Sequence, residues 1–239
     1  MRSNTQWSAR LKSRILGICY LLTICVGAID HIVVGSGIIV AGNPGATAQH
    51  LLASESLYRI AFALDLIPVY AVVTVLLYQL FKPVNRELSL LAAFASLAGG
   101  VVGSSAAIFQ FAPIVVLNDA TLWPGFSPLQ LRGLALMFLR LHEQGFSISL
   151  MFFGLYCSLL GWMMTRSTFM PRVVGVLMLA AGVSYMLYSF GYFASPSLAA
   201  GLSSYALLLG SIGEIGLTAW LLVVGIDSAK WKQQSRTGS

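Results

Sequence analysis

The sequence predicts an all-α membrane protein: one domain, residues 1–239, built as a bundle of six transmembrane helices with both termini in the cytoplasm. Three observations predict this. Of the 239 residues, 57% are hydrophobic and only 9% are charged, where soluble domains carry about 25% charge; mean hydropathy is +0.82. Six apolar runs each reach the roughly 20 residues needed to cross about 30 Å of hydrocarbon. Eleven of the 14 Lys and Arg residues fall on one side of the resulting topology, the bias that orients helices in a bilayer.

The expected spans are 14–34, 57–81, 87–117, 137–165, 172–194 and 201–226. The N-terminus, "MRSNTQWSARLKSRILGICYLLTICVGAID", has a basic head. Its apolar body exceeds the 7–15 residues of a signal peptide and no A-x-A cleavage site follows, so it is expected to stay as the first span. Breakers separate the spans: "NPG", "KPVNRE", "WPGFSP", "STFMPR" and "SPS". "ATAQHLLASESLYR" fits a helix lying along the interface before span two. "SPLQLRGLALMFLRLHEQG" opens with Ser127 as N-cap and Pro128 at the first helical position, and either leads straight into span four or breaks at Gly145. Connections of about 20 residues at most leave no room for an appended soluble domain.

Placing the N-terminus inside puts Arg2, Arg10, Lys12, Arg14, Lys82, Arg86, Arg166, Arg172, Lys230, Lys232 and Arg236 on the cytoplasmic side. Only Arg59, Arg132 and Arg140 lie outside. The net charge of +6 is therefore a topology signal; no aromatic-basic patch suggests nucleic acid. Cys19, Cys25 and Cys157 all sit in apolar segments without a C-x-x-C pair. They are expected to be buried structural thiols, which argues against a disulfide framework or a thiol oxidase. Gly99 with Gly103, and Gly175 with Gly182, are spaced for close helix packing.

Ionisable groups inside a bilayer cost roughly 2.5–3.5 kcal/mol on insertion scales and face a cavity or a partner. At 1.5 Å per residue, Asp30, Asp65, Ser104, Ser105 and Tyr188 come out about 24–26 Å above the inner basic flanks. Glu214 lies deeper, about 20 Å from Asp227. Arg59, Arg140 and His142 come out near 35–39 Å. The expected site is an outward-opening polar pocket with Asp30, His31, Asp65, His142, Glu143, Tyr188 and Glu214 as candidates. Arg140, Glu143 and Gln144 share a helix face, which allows an Arg140–Glu143 pair. His142 points about 160° away from Arg140, along the stripe Phe146, Ser149, Phe153 and Tyr156, and is expected to face inward. His50 and Glu55 are expected in a loop. Pro68 frees the Leu64 carbonyl beside Asp65.

Four functions compete. The first is binding or translocation of a small molecule or ion, with Asp65 and Glu214 as cation or proton sites. The second is a membrane metal hydrolase using Asp30, His31, Asp65, His142 and Glu143, although H-E-x-x-H is missing. The third is a haem protein with His31 and His142 as axial ligands. The fourth is a structural or regulatory protein without ligand. The expectation is no bound cofactor or metal and no catalytic residue. The expected partners are the lipid bilayer and a small-molecule or ion ligand, with a homo-oligomer left open and nucleic acid excluded.

"LHEQGFSISLMFFGLYCSLLGWMMTRSTFMPRVVGVLMLAAGVSYMLYS" resembles the centre of a bacterial integral-membrane family catalogued as domain of unknown function 4386. "GEIGLTAWLLVVGI" and "SLYRIAFALDL" resemble it too, so the likeness runs from about Arg10 to Ile226. The resemblance implies six spans in one domain of a bacterial inner membrane and implies no activity. Two positions depart from the family's usual pattern. Tyr156 stands where a histidine is common, and Tyr188 where an aspartate is common.

Overall fold

The computed structural model describes residues 9–40, 42–65, 69–119 and 123–237. It is 87% helical, and no strand occurs among the described residues. In chain order the helices are α1 (Ala9–Asp30), followed by a π-helical turn (His31–Ser36), α2 (Pro44–Ala53), α3 (Glu55–Asp65), α4 (Val69–Phe81), α5 (Arg86–Asn118), α6 (Pro128–Arg166), α7 (Arg172–Ala194), α8 (Pro196–Val223) and α9 (Ser228–Thr237). Six stretches are long and apolar enough to cross a membrane: Arg10–Val33, Glu55–Phe81, Arg86–Asn118, Pro128–Arg166, Arg172–Ala194 and Ala200–Val223. The surface is coated with aliphatic and aromatic groups. Val101, Ile108, Val173, Phe190 and Val223 are each about two-thirds or more exposed, a coat that belongs in hydrocarbon rather than water. The protein is a multi-pass membrane protein.

Helix starts follow from capping. Asn43 Oδ1 accepts from Ala46 N at 3.0 Å ahead of Pro44. Asn85 Oδ1 does the same for Leu88 N at 2.9 Å. Ser127 caps α6 as expected, and Gln130 completes the box, its Oε1 accepting from Ser127 N at 2.7 Å. That cap starts α6 nine residues before the expected span, and the helix runs through Gly145 unbroken. The helical character expected of ATAQHLLASESLYR is present as α2 and the start of α3: His50 lies on α2 and Glu55 opens α3, pairing with Arg59 one turn on at 2.7 Å. Helix α9 was not expected. Asp227 caps it through Ala229 N and Lys230 N.

The contacts divide the chain into two units, with α1, α5 and α6 contributing to both. The first comprises 1–23, 69–99 and 150–239. Its seams are glycine-lined. Gly154 and Gly161 of α6 face Gly182 and Gly175 of α7, and a Cβ at any of the four would meet opposing backbone at 2.8 Å or less. Helix α9 closes this unit by polar ties: Trp231 Nε1 donates to the Leu80 carbonyl at 2.9 Å, and Gln234 Oε1 accepts from Thr168 N and Oγ1 at 3.0 Å. A buried Thr74–Ser96 hydroxyl pair at 2.6 Å joins α4 to α5.

The second unit comprises 24–68 and 100–149. Its core is Ile38, Leu51, Tyr58 and Ile114, flanked by Val33, Ile39, Phe111 and Leu117. Gly103 fits against Ser149, and Gly145 against Ala106, where α5 and α6 approach closely.

Candidate functional site

The expected pocket draws on residues of both units. Asp30, His31, Asp65, His142 and Glu143 belong to the second, Tyr188 and Glu214 to the first. Each set is described by itself.

In the second unit Asp30 closes α1 and is partly buried. Its Oδ1 accepts from Gln110 Nε2 at 2.6 Å. Gln110 is 1% exposed, and its backbone carbonyl accepts the Tyr58 hydroxyl. Asp30, Gln110 and Tyr58 thus link α1, α5 and α3. His142 Nδ1 lies 3.1 Å from the Ala106 carbonyl, a helix-to-helix tie. Arg140 and Glu143 pair at 2.9 Å within α6, as their spacing requires. His31 is exposed. The Asp65 side chain lies outside the described residues, as does Pro68. Ser104 and Ser105 are exposed, and Ser105 satisfies its hydroxyl on the Val101 carbonyl at 2.8 Å. The expected inward stripe below His142 does not hold along its length. Phe146 is 53% exposed, whereas Tyr156 is 1% exposed.

The first unit holds the stronger candidate. Glu214 sits midway along α8, and the Tyr185 hydroxyl of α7 donates to its Oε1 at 2.6 Å. This contact depends on Gly210, one turn before Glu214. A Cβ there would overlap the Tyr185 phenol. Three rings pack beside the pair. Phe153 touches Tyr185, Tyr70 and Tyr156 at centroid distances of 5.6–5.7 Å, and Tyr70 meets Tyr156 edge-on at 6.1 Å. Tyr20 of α1 is wholly buried. None of the hydroxyls of Tyr20, Tyr70 and Tyr156 is exposed; Tyr70 faces Ser96 and Tyr156 faces Tyr70 without full hydrogen-bond geometry, and Tyr20 has no hydrogen-bond partner among the described residues. Five helices therefore converge on one carboxylate, one phenol that holds it, and three buried phenols whose hydroxyls are not fully satisfied among the described residues.

Of the expected candidates, Glu214 belongs to this cluster. Tyr188 is partly buried, its ring 6.3 Å from that of Tyr192. Sequence reasoning missed Tyr20, Tyr70 and Tyr185. A signal was available: tyrosine favours the membrane interface, where its hydroxyl meets water, so tyrosines within spans need another partner. Gly210, four residues before Glu214, was the matching cue on α8.

Among the cysteines, Cys157 is buried beside this cluster, but Cys19 is partly exposed and Cys25 exposed, so burial fails for two of the three. All three are free thiols. Among the described residues no three His, Cys, Asp or Glu side chains come together as a metal site would need. The hydrolase reading gains nothing from Asp30, His31, His142 and Glu143. His142 Nδ1 is engaged with the Ala106 carbonyl.

No curated protein and no solved structure matches the chain. A family model does: it covers residues 15–225, and the chain belongs to the family described as Domain of unknown function (DUF4386).

Proposed function

We propose that this protein resides in a bacterial inner membrane with both termini in the cytoplasm, and that it binds or translocates a small cation or polar molecule at Glu214. One observation carries the reading: beside the Tyr185–Glu214 pair lie three buried phenols whose hydroxyls are not fully satisfied, Tyr20 having no partner among the described residues and Tyr70 and Tyr156 only poorly aligned neighbours. A buried polar group without a partner costs about 1–3 kcal/mol. Hydrocarbon supplies no water to relieve that cost. A guest that accepts from and donates to the phenols, and whose positive charge faces Glu214, relieves it. Carboxylate oxygen, phenol oxygen and aromatic face are all favourable surroundings for a cation.

The test is thermal melting of the protein in lipid nanodiscs, titrated with sodium, potassium, ammonium and methylammonium. A ligand at a hundred times its Kd adds about 2.7 kcal/mol of stability, which raises the melting temperature visibly. The expected result is a rise with at least one cation that Glu214→Gln abolishes. Tyr156→Phe gives an independent reading. It lowers stability if a guest uses the hydroxyl and raises it if the hydroxyl is idle. No shift with any cation, together with a more stable Tyr156→Phe, would leave a structural role for the cluster. Tags on each terminus, probed on intact cells, test the orientation; a tag reached from outside overturns it.

A further inference from the structure

We infer that the groove on the second unit lined by Phe62, Ile108, Phe111, Val115, Trp123 and Phe138 holds one acyl chain of a membrane phospholipid, with its phosphate turned toward Arg59. The groove is open to its surroundings and offers about 400 Å³, and its exposed lining is wholly apolar. That volume lies within the roughly 300–1,000 Å³ of ordinary ligand sites. An occupant must therefore be a long apolar body rather than a polar solute.

Its position argues for a lipid. The span Glu55–Phe81 begins at Glu55, and the span Arg86–Asn118 ends at Asn118. Phe62 lies two turns inside the first boundary, and Phe111 and Val115 lie within two turns of the second. The groove therefore lies toward the ends of both spans, and Ile108 carries it inward. The 33-residue span Arg86–Asn118 is longer than the roughly 30 Å hydrocarbon core, so the groove's outer part reaches the headgroup region. The only surrounding medium that is apolar on one side of this level and anionic on the other is phospholipid.

Charge is placed to match. The Arg59 guanidinium lies 5.3 Å from the centroid of Phe111, a wall of the groove. Its Nε is held by Glu55 at 2.7 Å, which fixes the side chain. The Arg59 side chain is 47% exposed, so a phosphate can reach its guanidinium. A second feature points the same way. Trp123 Nε1 is a buried donor without a partner among the described residues. Tryptophan is enriched at the membrane interface, where its indole N–H meets polar lipid groups.

The experiment uses the full chain in vesicles of phosphatidylglycerol in which a trace carries a photoreactive diazirine on one acyl chain. After illumination, adducts are mapped by peptide mass spectrometry. Adducts are expected to concentrate on residues 108–116 and on Phe138, about fivefold over exposed apolar positions such as Val173 and Phe190. Ala112→Trp, which fills the groove from its own wall, should remove that excess and leave the Val173 and Phe190 adducts unchanged. Val115→Phe serves the same purpose if Ala112→Trp fails to fold. Arg59→Gln should leave chain labelling with an uncharged diacylglycerol probe intact and lower the preference for phosphatidylglycerol severalfold. Adducts spread evenly over all exposed apolar positions, or an excess that survives a filled groove, overturn the inference. Equal labelling by charged and uncharged probes in the wild type overturns the role of Arg59.

Discussion

Tyr185 reaches Glu214 by lying across the backbone of Gly210, so that the hydroxyl donates to the carboxylate at 2.6 Å. The bond joins α7 to α8 and survives only while position 210 carries no side chain. Gly210→Ala puts a methyl group where the phenol lies. Overpacking of this kind costs about 1–3 kcal/mol, and thermal melting in nanodiscs should fall accordingly. Tyr185→Ala removes the obstructed ring, so the double variant should melt no lower than Tyr185→Ala alone. Additive losses would show that the phenol does not occupy that notch.

Replacements of Glu214 separate hydrogen bonding from charge. Gln keeps an acceptor for the Tyr185 hydroxyl, whereas Leu leaves that hydroxyl without one, at about 1–3 kcal/mol. Glu214→Leu should therefore melt well below Glu214→Gln. Glu214→Lys, which drives an ammonium among five helices with no carboxylate left to meet it, should abolish accumulation of folded protein, as judged by yield of monodisperse material. Equal melting of Gln and Leu variants would mean that the Tyr185 bond contributes nothing.

The spans were legible because a bilayer allows few solutions. Every backbone group must be satisfied within the segment, so long apolar runs between breakers became helices; 172–194 matches α7 at both ends. The Arg140–Glu143 pair was legible because it is local, fixed by i,i+3 spacing alone. Contacts between helices were not. The link between Asp30 and Gln110 spans 80 positions, and nothing in either segment encodes the other. The depth argument ranked residues along one axis, so it placed Ser104 and Ser105 beside Asp30 although they turn outward on α5. The tyrosine cluster escaped because attention went to charge. In a membrane interior a phenol is also a polar group that needs a partner. Helix α9 escaped because its ten residues, SAKWKQQSRT, eight of them polar, carry no apolar period; its cap at Asp227 and its ties to Leu80 and Thr168 define it.

Those ties give a test at the C-terminus. Trp231→Phe keeps an aromatic ring, a smaller one, and deletes the donor to the Leu80 carbonyl. A lost hydrogen bond of this kind costs about 0.5–1.5 kcal/mol. Because α9 is a terminal element, the loss should appear as local opening. Hydrogen exchange in 228–237 should speed up several-fold while exchange in α7 and α8 stays as in the wild type. Exchange unchanged in 228–237 would show that the bond does not hold the helix in place.

The glycines offer a comparison in which helix propensity and packing have opposite signs. Ala is favoured over Gly in a helix interior by about 0.8–1.0 kcal/mol. At Gly27 and Gly100 a Cβ meets nothing within 4 Å, so Gly27→Ala and Gly100→Ala should leave stability unchanged or raise it. At Gly161 and Gly182 the same Cβ runs into the backbone nitrogens of Leu179 and Ser158. A backbone cannot rotate aside as a flexible side chain does, so α6 and α7 must separate along their length. In hydrocarbon such close packing is itself what holds helices together, because lipid tails are as apolar as the helix surfaces. Gly161→Ala and Gly182→Ala should therefore each lose about 1–3 kcal/mol, with the propensity gain already offset. The double variant should lose less than the sum of the two, because the first substitution has already forced the helices apart. Melting of the four single variants and the one double variant in identical nanodiscs decides the matter. Equal behaviour of Gly100→Ala and Gly182→Ala would mean that α6 and α7 do not meet backbone to backbone.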